Sequence, residues 1–425
     1  MDRAGFPRQS ARLRRVADVA DYVGSQCFRT GPPGTVGVEV EWLTIDVREP
    51  HRRVHPQRCQ AALADIPELP GGSRISYEPG GQLELSSLPW PDLGGCVQAL
   101  DRDIAAVVSV LARKGIGLVG LGADPIRPPD RVLDTPRYTA MEAYFALNGA
   151  AGRIMMCCTA STQVNVEAGP ESEWRRRWEL AHVLGPMLVA AFANSPMLGG
   201  RVTGWRSTRQ AIWAVLGPAR IQPARPLGQR DPVAAWTSYA LSARMMLRRQ
   251  RDGGYRPVLD GSTFADWLGG PLRRSRPGID DLALHLTTLF PPIRPRGWLE
   301  FRMIDAQPAA YWAVPAAVVT ALLDDPQAGE LAHAVCEPVA GEWLAAARDG
   351  LAHPGLAIAA ARCLDLTLQA LPRLGNSVVT NAVQSFAEQY TWVGRCPADD
   401  LIGPSDAKGP PLTRRDDLRE VMLLP

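Results

Sequence analysis

Two glutamates, Glu39 and Glu41, lie in the otherwise apolar and β-branched run VGVEVEWLTIDV at residues 36–47. Side chains alternate between the faces of a strand, so both carboxylates point to one side from positions about 7 Å apart. Like charges on one face of a half-buried strand repel each other unless something positive lies between them. Acidic oxygen donors of this kind suit Mg²⁺ or Mn²⁺ rather than zinc, so the pair predicts a divalent-cation site.

Three further segments repeat the pattern of one apolar and one polar face. Their polar faces carry Gln82, Glu84 and Ser86 in QLELS, Gln163, Asn165 and Glu167 in QVNVE, and Glu300 and Arg302 in WLEFR. A solvated face of an antiparallel sheet is the alternative explanation for any one strand. Solvated faces, however, favour lysine, threonine and mixed charges, whereas these carry acids and amides. If the four strands are neighbours, their acids converge on a cation cluster, to which Glu78 adds a ligand.

Arginines form the second set of candidate residues. All but two of the 46 basic residues are arginine, and neither Lys114 nor Lys408 has the setting of a P-loop or Schiff-base lysine. Phosphate chemistry would therefore rest on metal ions and on guanidinium groups, which bind phosphate or carboxylate in a two-pronged fashion. The candidates are Arg137 beside Tyr138 in TPRY, Arg206 and Arg209 in GWRSTRQAIW, and Arg302. A surface position is the simpler explanation for any single arginine of so many.

Periodicity predicts the elements that position these residues. Strands are expected at 36–47, 161–169 and 296–305, a hairpin at 75–87 with Pro79 and Gly80 central to a type II turn, and a short buried strand after Lys114. Helices are expected at 11–26, 96–114, 171–194 and 232–250, with four more from Pro308 to about residue 395, and TPRYTAMEAYF is expected to start a helix with Pro136 near its first turn. The fold class is therefore α+β, a mostly antiparallel sheet backed by helices with a helical C-terminal portion.

The order of these predicted elements divides the chain into four parts. An N-terminal helix and linker occupies 1–34, a sheet-and-helix core 35–310, C-terminal helices packed on the core 311–395, and a polar tail 396–425. No internal repeat and no low-complexity linker separates these parts.

Composition limits the partners. The formal charge of +2 offers no reason to expect nucleic acid or a membrane surface, and no run of eighteen uncharged apolar residues offers a membrane span. The N-terminus lacks the apolar core of a secretion signal. The eight cysteines include no CxxC pair, so reduced thiols in a cytoplasmic protein are expected rather than disulfides or zinc. A small neutral or zwitterionic ligand is the partner that remains.

The polar-faced strands belong to a longer ordered series of segments that resembles one family. In chain order, GVEVEW, YEPGGQLELSS, RYTAM, CTASTQVNVE, FANSPM, STRQAIW, DGSTFADWL and HLTTLFPPIRPRGWLEFRMID resemble the segments of plant- and proteobacterial-type glutamate–cysteine ligases. The chain is similar in particular to the actinobacterial branch that begins ergothioneine synthesis. The resemblance covers about residues 35–310, and an ordered series is more specific than any single motif.

This resemblance implies a glutamine-synthetase-like fold, a curved sheet whose concave face holds ATP, two or three Mg²⁺ ions (or Mn²⁺), L-glutamate and L-cysteine. ATP would phosphorylate the γ-carboxylate of glutamate, and the amine of cysteine would displace phosphate to give γ-glutamylcysteine, ADP and phosphate. The implied metal ligands are Glu39, Glu41, Glu78, Glu84, Glu300 and, where some relatives have histidine, Gln163. The implied catalytic arginines are Arg302 and Arg209. The expected substrate-binding residues are Arg137, Tyr138, Asn165 and Arg206.

One departure and several alternatives remain at this point. Plant-type relatives have a glycine-rich turn after the last arginine, whereas this chain has IDAQP, which leaves the acceptor amino acid open. A ligase of the same fold with another amino-acid pair, a non-catalytic nucleotide or metal sensor, and a phosphagen-type kinase are the rival functions. A monomer is expected. The number of ions and the onward pathway, ergothioneine or glutathione, are open, and redox control is not carried over.

Overall fold

The computed structural model describes residues 11–66, 68–224, 231–250, 252–270 and 276–402. Strands and helices alternate along the first three-quarters of the chain, and from there to residue 402 the described elements are helices. The strands are β1 (Val36–Asp46), β2 (Arg74–Tyr77), β3 (Leu83–Ser86), β4 (Ile116–Val119), β5 (Ser161–Glu167), β6 (Met197–Leu198), β7 (Arg201–Val202), β8 (Leu247–Arg249), β9 (Tyr255–Pro257), β10 (Ile293–Pro295) and β11 (Trp298–Asp305).

The α-helices of the described residues are α1 (Val16–Tyr22), α2 (Pro56–Leu63), α3 (Leu93–Arg113), α4 (Pro136–Phe145), α5 (Ala151–Cys158), α6 (Trp174–Val183), α7 (Gly185–Ala191), α8 (Thr208–Ala214), α9 (Pro218–Ile221), α10 (Pro232–Ser242), α11 (Phe264–Gly269), α12 (Ile279–Leu286), α13 (Val314–Asp324), α14 (Pro326–Cys336), α15 (Trp343–Asp349), α16 (Pro354–Arg373) and α17 (Thr380–Gln389). The predicted helix at 11–26 is α1 continued by one π-helical turn, Val23–Cys27. None of the helices within the described ranges has both the length and the apolarity needed to cross a membrane.

Seven strands form one antiparallel sheet in the order β10-β11-β5-β1-β3-β2, and β4 pairs with the far end of β1. The register places Glu39 opposite Gln163 and Glu41 opposite Glu84, on the two neighbours of β1. On β11, Glu300 lies opposite Asn165 of β5. The four polar-faced strands are therefore consecutive in the sheet, which meets the condition on which the predicted cation cluster depended.

The other face of this sheet is the inner wall of the main hydrophobic core. Alternate residues of the central strands are fully or almost fully buried, among them Val36, Val38, Val40, Leu83, Leu85, Val164, Val166, Leu299 and Phe301. Helices α3, α7 and α13 pack on these strands, and one continuous cluster of buried side chains joins the sheet to the C-terminal helices. Burying one face of each strand in this way specifies the register, because a slip of one residue would exchange the two faces.

Two helix predictions need correction. The helix expected at 232–250 ends at Ser242, and the chain continues into a separate hairpin of β8 and β9. The turn of this hairpin includes Gly253 with φ 86°, a conformation that glycine adopts readily and that favours a hairpin over a continued helix. From Pro308 to residue 402, where the described part of the chain ends, there are five α-helices rather than four, because Pro326 at the first position of α14 begins a new helix within one apolar stretch. The predicted tail lies outside the described residues from 403 onward.

The turn between β2 and β3 also differs from the prediction. The positive φ, 90°, falls on Gly81 rather than on Gly80, and the Gly81 amide donates to the Glu78 carbonyl at 2.8 Å. A type II turn would need the positive φ at Gly80, so a turn followed by one left-handed residue replaces it. Gly80 has another reason to be glycine, because a Cβ there would overlap the carbonyl of Cys157 at the end of α5.

We expect Gly80→Ala to lower the free energy of unfolding by about 2 kcal/mol, since backbone atoms cannot yield as a flexible side chain does. Urea denaturation measures this loss. Gly269→Ala is the matched control, because a Cβ there meets nothing within 4 Å and the residue ends a helix. Equal stability of the two variants would contradict the tight docking of the turn on α5.

Candidate active site

Three carboxylates meet on the polar face of the sheet. Glu41 comes from β1, Glu84 from β3 and Glu78 from the turn between β2 and β3, and ligand oxygens of the three lie within 4.8 Å of one another. The strand register brings Glu41 beside Glu84, and the docked hairpin turn adds Glu78. We call these three residues the acidic cluster.

The electrostatics of the acidic cluster favour a cation. Burial raises the pKa of Glu78 well above its usual range, and the Glu41 and Glu84 carboxylates raise it further. Burial likewise raises the pKa of Glu41 and of Glu84. Burial outweighs the nearby Arg209 and Arg302, so these carboxylates hold protons more tightly than exposed ones do, and a divalent cation would replace those protons.

Short polar side chains fix the orientation of two cluster members. Glu41 accepts hydrogen bonds from the backbone amide (2.8 Å) and hydroxyl (2.9 Å) of Ser161 and from the Gln163 amide (2.9 Å). Glu84 accepts from the hydroxyls of Ser76 and Ser86, both at 2.8 Å. The sequence analysis did not include Ser161. Its position two residues before Gln163, on the same strand face, is the signal that identifies it.

Glu39 lies further along the same face of β1. Its carboxylate accepts a hydrogen bond from the Asn165 amide at 3.3 Å. Burial, followed by repulsion from Glu300 and Glu84, raises the pKa of Glu39 to about 7. Glu39 thus lies between the acidic cluster and Glu300, with less compensation by arginine than Glu300 receives.

Arginines surround Glu300, whose exposed fraction is 0%. Its two oxygens accept from Arg294 (2.5 and 3.0 Å) and Arg296 (3.0 Å), and Arg302 lies 3.1 Å away. Burial alone would raise the pKa of Glu300, but Arg294 and Arg302 outweigh it and hold the pKa well below the usual range. The structure therefore places Glu300 among guanidinium groups rather than within the acidic cluster.

Arg294 and Arg296 are site residues that the sequence analysis missed. They lie on and just after β10, a three-residue edge strand that pairs with β11. Burial lowers the pKa of Arg294 to about 10, and the charge of Arg302 contributes to this shift. The signal in the sequence is IRPRGW, in which two arginines two residues apart precede a glycine turn and the strand of Glu300.

A cavity of about 110 Å³ opens beside the acidic cluster. Polar groups on one side of it face an apolar side built largely from methionine and aromatic residues. Its lining includes Glu41, Glu78, Gln82, Tyr138, Gln163, Arg209 and Arg302, together with Met141, Met155, Met156, Trp213 and Phe290. Arg302 donates to the Gln163 side chain at 2.5 Å, and Arg209 donates to the Arg302 carbonyl at 2.8 Å. The two arginines are thus adjacent at this cavity.

A second concavity, of about 460 Å³, lies on the far side of the Arg294–Glu300 pair. We call it the arginine recess after its four guanidinium groups, which belong to Arg29, Arg137, Arg294 and Arg296. Tyr22, Trp236 and Leu286 supply its apolar lining. Arg137 donates to the Thr287 hydroxyl at 3.0 Å, so it lies here while its neighbour Tyr138 lines the cavity.

Arg206 is the one residue of the predicted site that the structure does not bring near the others. Its guanidinium pairs with Asp399 at 2.6 Å, and its backbone amide donates to the Arg348 carbonyl at 3.2 Å. The reason is local, since Arg206 precedes α8, whereas Arg209 lies in its first turn. A spacing of three residues aligns side chains only when both lie within the helix.

Comparisons with known proteins identify the family of this chain. The model of glutamate-cysteine ligase family 2 (GCS2) matches residues 35–417. The glutamate–cysteine ligase EgtA of Mycolicibacterium smegmatis is 44% identical over 394 residues, which cover 92% of each chain. The EgtA of Mycobacterium tuberculosis is 44% identical over 387 residues, 90% of this chain and 88% of the relative. The chloroplastic glutamate–cysteine ligase of Arabidopsis thaliana is 32% identical over 265 residues, 60% of this chain and 50% of the relative.

A solved structure shares the fold. The crystal structure of a glutamate–cysteine ligase from Francisella tularensis in complex with AMP superposes with a TM-score of 0.53, at 13% identity, over 93% of this chain and 89% of that chain. The predicted α+β architecture, an antiparallel sheet backed by helices with a helical C-terminal portion, is confirmed. The family match also extends past residue 310 through the C-terminal helices. The chain therefore belongs to glutamate–cysteine ligase family 2.

Proposed function

We propose that this protein joins the γ-carboxylate of L-glutamate to the amine of L-cysteine at the expense of ATP. A γ-carboxylate oxygen attacks the γ-phosphorus of ATP and ADP leaves; the cysteine amine then attacks the acyl carbon, loses a proton, and phosphate leaves. The observation that carries the proposal is the acidic cluster beside two adjacent arginines at one cavity. Carboxylates that hold divalent cations, together with guanidinium groups, are what phosphoryl transfer needs when no lysine is available.

The donor set of the acidic cluster fits Mg²⁺ or Mn²⁺. Glu41, Glu78 and Glu84 offer carboxylate oxygens close enough to share one ion. A bound Mg²⁺ would offset the charge that develops on the transferring phosphoryl group. Glu39 and Gln163 are the proposed ligands of a further ion, and Glu300 is a third proposed ligand of that ion. Glu300 would have to release a guanidinium first, because the arginines already use about all four of its lone-pair sites.

The two concavities suggest a division of the substrates. The arginine recess has the size and the positive charge for the polyphosphate of ATP, and Trp236 and Tyr22 supply apolar surface for the rest of the nucleotide. The smaller cavity suits part of an amino-acid substrate, with Tyr138 as a proposed substrate-binding group. Asn165, which contacts Glu39 further along the sheet, is proposed as another. Arg302 contacts Gln163 at the cavity and also Glu300, which pairs with the recess residues Arg294 and Arg296; this position suits a group that stabilises the phosphoryl in transit.

An ADP-release assay with product mass tests this function. ATP, Mg²⁺, L-glutamate and L-cysteine should yield one γ-glutamylcysteine per ADP, and omitting either amino acid should remove the amide product. Amide formation only with another amino-acid pair would favour a related ligase. Nucleotide binding without turnover for any pair would favour a sensor, and phosphate transfer to a guanidine would favour a kinase.

Metal should also stabilise the protein. We expect Mg²⁺ at about 100 times its dissociation constant to raise the free energy of unfolding of metal-free protein by about 2.7 kcal/mol, because it binds only the assembled site. Thermal unfolding with and without Mg²⁺ measures the shift. The matched control is Glu78→Gln, which removes one cluster carboxylate and should reduce the shift. An equal shift in both proteins would place the ion elsewhere.

The remaining features of the proposal concern the setting of the enzyme. We propose a monomer in the cytoplasm that acts on small molecules rather than nucleic acid, with the product entering ergothioneine synthesis. All eight cysteines are free and buried, which suits a reducing compartment. The near-neutral charge of +2 supports small-molecule substrates over a polyanion.

A further inference from the structure

We propose that Asp305 is a positioning residue for Arg209, and that the pair presents one free guanidinium N–H to a carboxylate of an amino-acid substrate. The inference rests on the proposed function, because it assigns a substrate group to the same cavity. Asp305 is the last residue of β11, within the segment IDAQP at 304–308.

Arg209 carries an unused donor. Only 4% of the residue is exposed, and its Nη2 donates to the Arg302 carbonyl. Its Nη1 has no hydrogen-bond partner in the part of the chain that the structure describes, and Arg209 lines the cavity beside Glu41. Leaving a buried charged donor unsatisfied is costly, so an unpaired N–H on an arginine that lines a cavity indicates a place for an anionic ligand.

Asp305 is held rigidly from three sides. Its carboxylate, in a residue 1% exposed, accepts from the backbone N–H of Asn194 (2.9 Å) and from the hydroxyls of Ser195 (2.6 Å) and Ser207 (3.0 Å). The Ser195 hydroxyl also accepts from the backbone amide of Arg209 at 3.1 Å. One network therefore fixes both the Asp305 carboxylate and the start of the helix that carries Arg209.

The distance between the two charges explains why the donor stays available. Asp305 Oδ1 lies 3.7 Å from Arg209 Nη1, near enough for attraction but too far for a hydrogen bond. Glu41, the other carboxylate beside Arg209, belongs to the acidic cluster, where a cation would engage it. Asp305 is then the counter-charge that holds Arg209 in place without occupying its free N–H.

The size of the cavity identifies the ligand group. A volume of about 110 Å³ admits part of an amino acid but not a triphosphate with its nucleoside. The walls also include Met141 and Trp213, which suit an aliphatic or thiol side chain better than a polyphosphate. A guanidinium N–H at this place matches a carboxylate of L-glutamate or of L-cysteine.

Asp305→Asn tests the proposal, since it keeps the shape and removes the charge. Steady-state ADP release and calorimetric binding of L-glutamate and of L-cysteine are measured on the full-length protein. We expect the KM and Kd of one amino acid to rise about tenfold, with KM for ATP within about twofold, because a charge-assisted contact is weakened. The amino acid whose KM and Kd rise is the one that supplies the carboxylate.

In a protein that already carries Arg209→Ala, adding Asp305→Asn should not change the KM or the Kd of either amino acid any further.

Asp324→Asn is the matched control. Asp324 is also a buried aspartate that pairs with an arginine, Arg177 at 2.7 Å, but on the core side of the sheet. This variant should lower the melting temperature and leave both amino-acid constants unchanged. Unchanged constants in Asp305→Asn, or an equal rise for ATP and both amino acids, would overturn the positioning role. If Asp305→Asn does not fold, Ser195→Ala decides by the same constants, with about a threefold rise expected.

Calorimetric binding of the amino acids separates the positioning role of Asp305 from the proposed ligase function. A wild-type protein that binds an amino acid but releases no ADP would contradict the ligase function, and the Asp305→Asn effect on Kd would still decide the positioning role. A wild-type protein that turns over normally, with Asp305→Asn indistinguishable from it, would overturn only the positioning role.

Discussion

The double variant Glu78→Gln, Glu84→Gln is expected to release ADP at least about 100-fold more slowly than the wild type. Without metal, it is expected to be more stable at neutral pH than the metal-free wild type. Loss of groups that merely orient metal ligands costs 10–100-fold, so loss of two ligands should cost more. The gain in stability has the opposite origin, because burial and mutual repulsion raise the pKa of both carboxylates. Their native state is therefore penalised whenever they ionise.

The sign of the pH dependence follows. A carboxyl whose pKa is raised on folding contributes stability below its unfolded pKa and loses it as pH rises through the folded value. Metal-free wild-type protein should thus lose melting temperature as pH rises above the ordinary carboxyl range, and the double variant should lose less. Added Mg²⁺ should flatten the wild-type curve, because the ion takes the place of the protons.

Glu337→Gln is the control for this variant, since Glu337 is exposed in a short 3₁₀ helix remote from the cluster. It should keep both the turnover and the pH profile of the wild type. Near-normal, magnesium-dependent ADP release by the Glu78→Gln, Glu84→Gln protein would reject the assignment of the acidic cluster to a catalytic cation.

The second large effect is expected from Arg302→Lys, which should lower kcat by about 10²–10³-fold, the loss seen when one preorganised donor to a developing anion is removed. Arg302 contacts Gln163 at 2.5 Å and Glu300 at 3.1 Å through one nitrogen, Nη1, and we expect the rest of its planar guanidinium fork to bind the transferring phosphoryl group. An ammonium group is a point charge and cannot replace that fork. The fold should persist, because Arg294 and Arg296 still neutralise Glu300.

Single-turnover measurement of ADP formation under saturating substrates isolates this loss from binding. Arg373→Lys is the matched control, since Arg373 also pairs with one carboxylate, Asp325 at 2.7 Å, but in the C-terminal helices. That change should leave kcat unaltered. A comparable kcat in Arg302→Lys would reduce Arg302 to a packing role at the sheet.

The shared strand face of the acids is the part of the site that the sequence predicted well. Alternation along QLELS and QVNVE places Glu84 and Gln163 on the polar side, and the structure has both beside β1. This succeeds because the side-chain period of a strand is a local property. The helix predicted at 232–250 is wrong beyond Ser242, because a glycine turn further along the chain makes Leu247–Arg249 the first strand of a hairpin.

The ion-pair partner of each charged residue could not be predicted from the local sequence pattern. Glu300 was grouped with the other acids by residue type, yet β10 brings Arg294 and Arg296 onto it from a neighbouring strand. Arg206 and Arg209 looked equivalent in one segment, yet the C-terminal portion claims Arg206 through Asp399. Which charge meets which counter-charge depends on contacts between residues far apart in the chain, and no periodicity reports them.

By itself the sequence determined that four strands each present acids or amides on one face, that phosphate chemistry cannot use a lysine, and which family the ordered segments resemble. Only the tertiary structure decided that the three acids of the acidic cluster lie within 4.8 Å of one another, whereas Glu300 pairs with arginines. It also placed Asp305 3.7 Å from Arg209. The physical reason is range. Alternation is dictated by the backbone of a few consecutive residues, whereas burial and electrostatic pairing arise only when distant segments pack into one low-dielectric site.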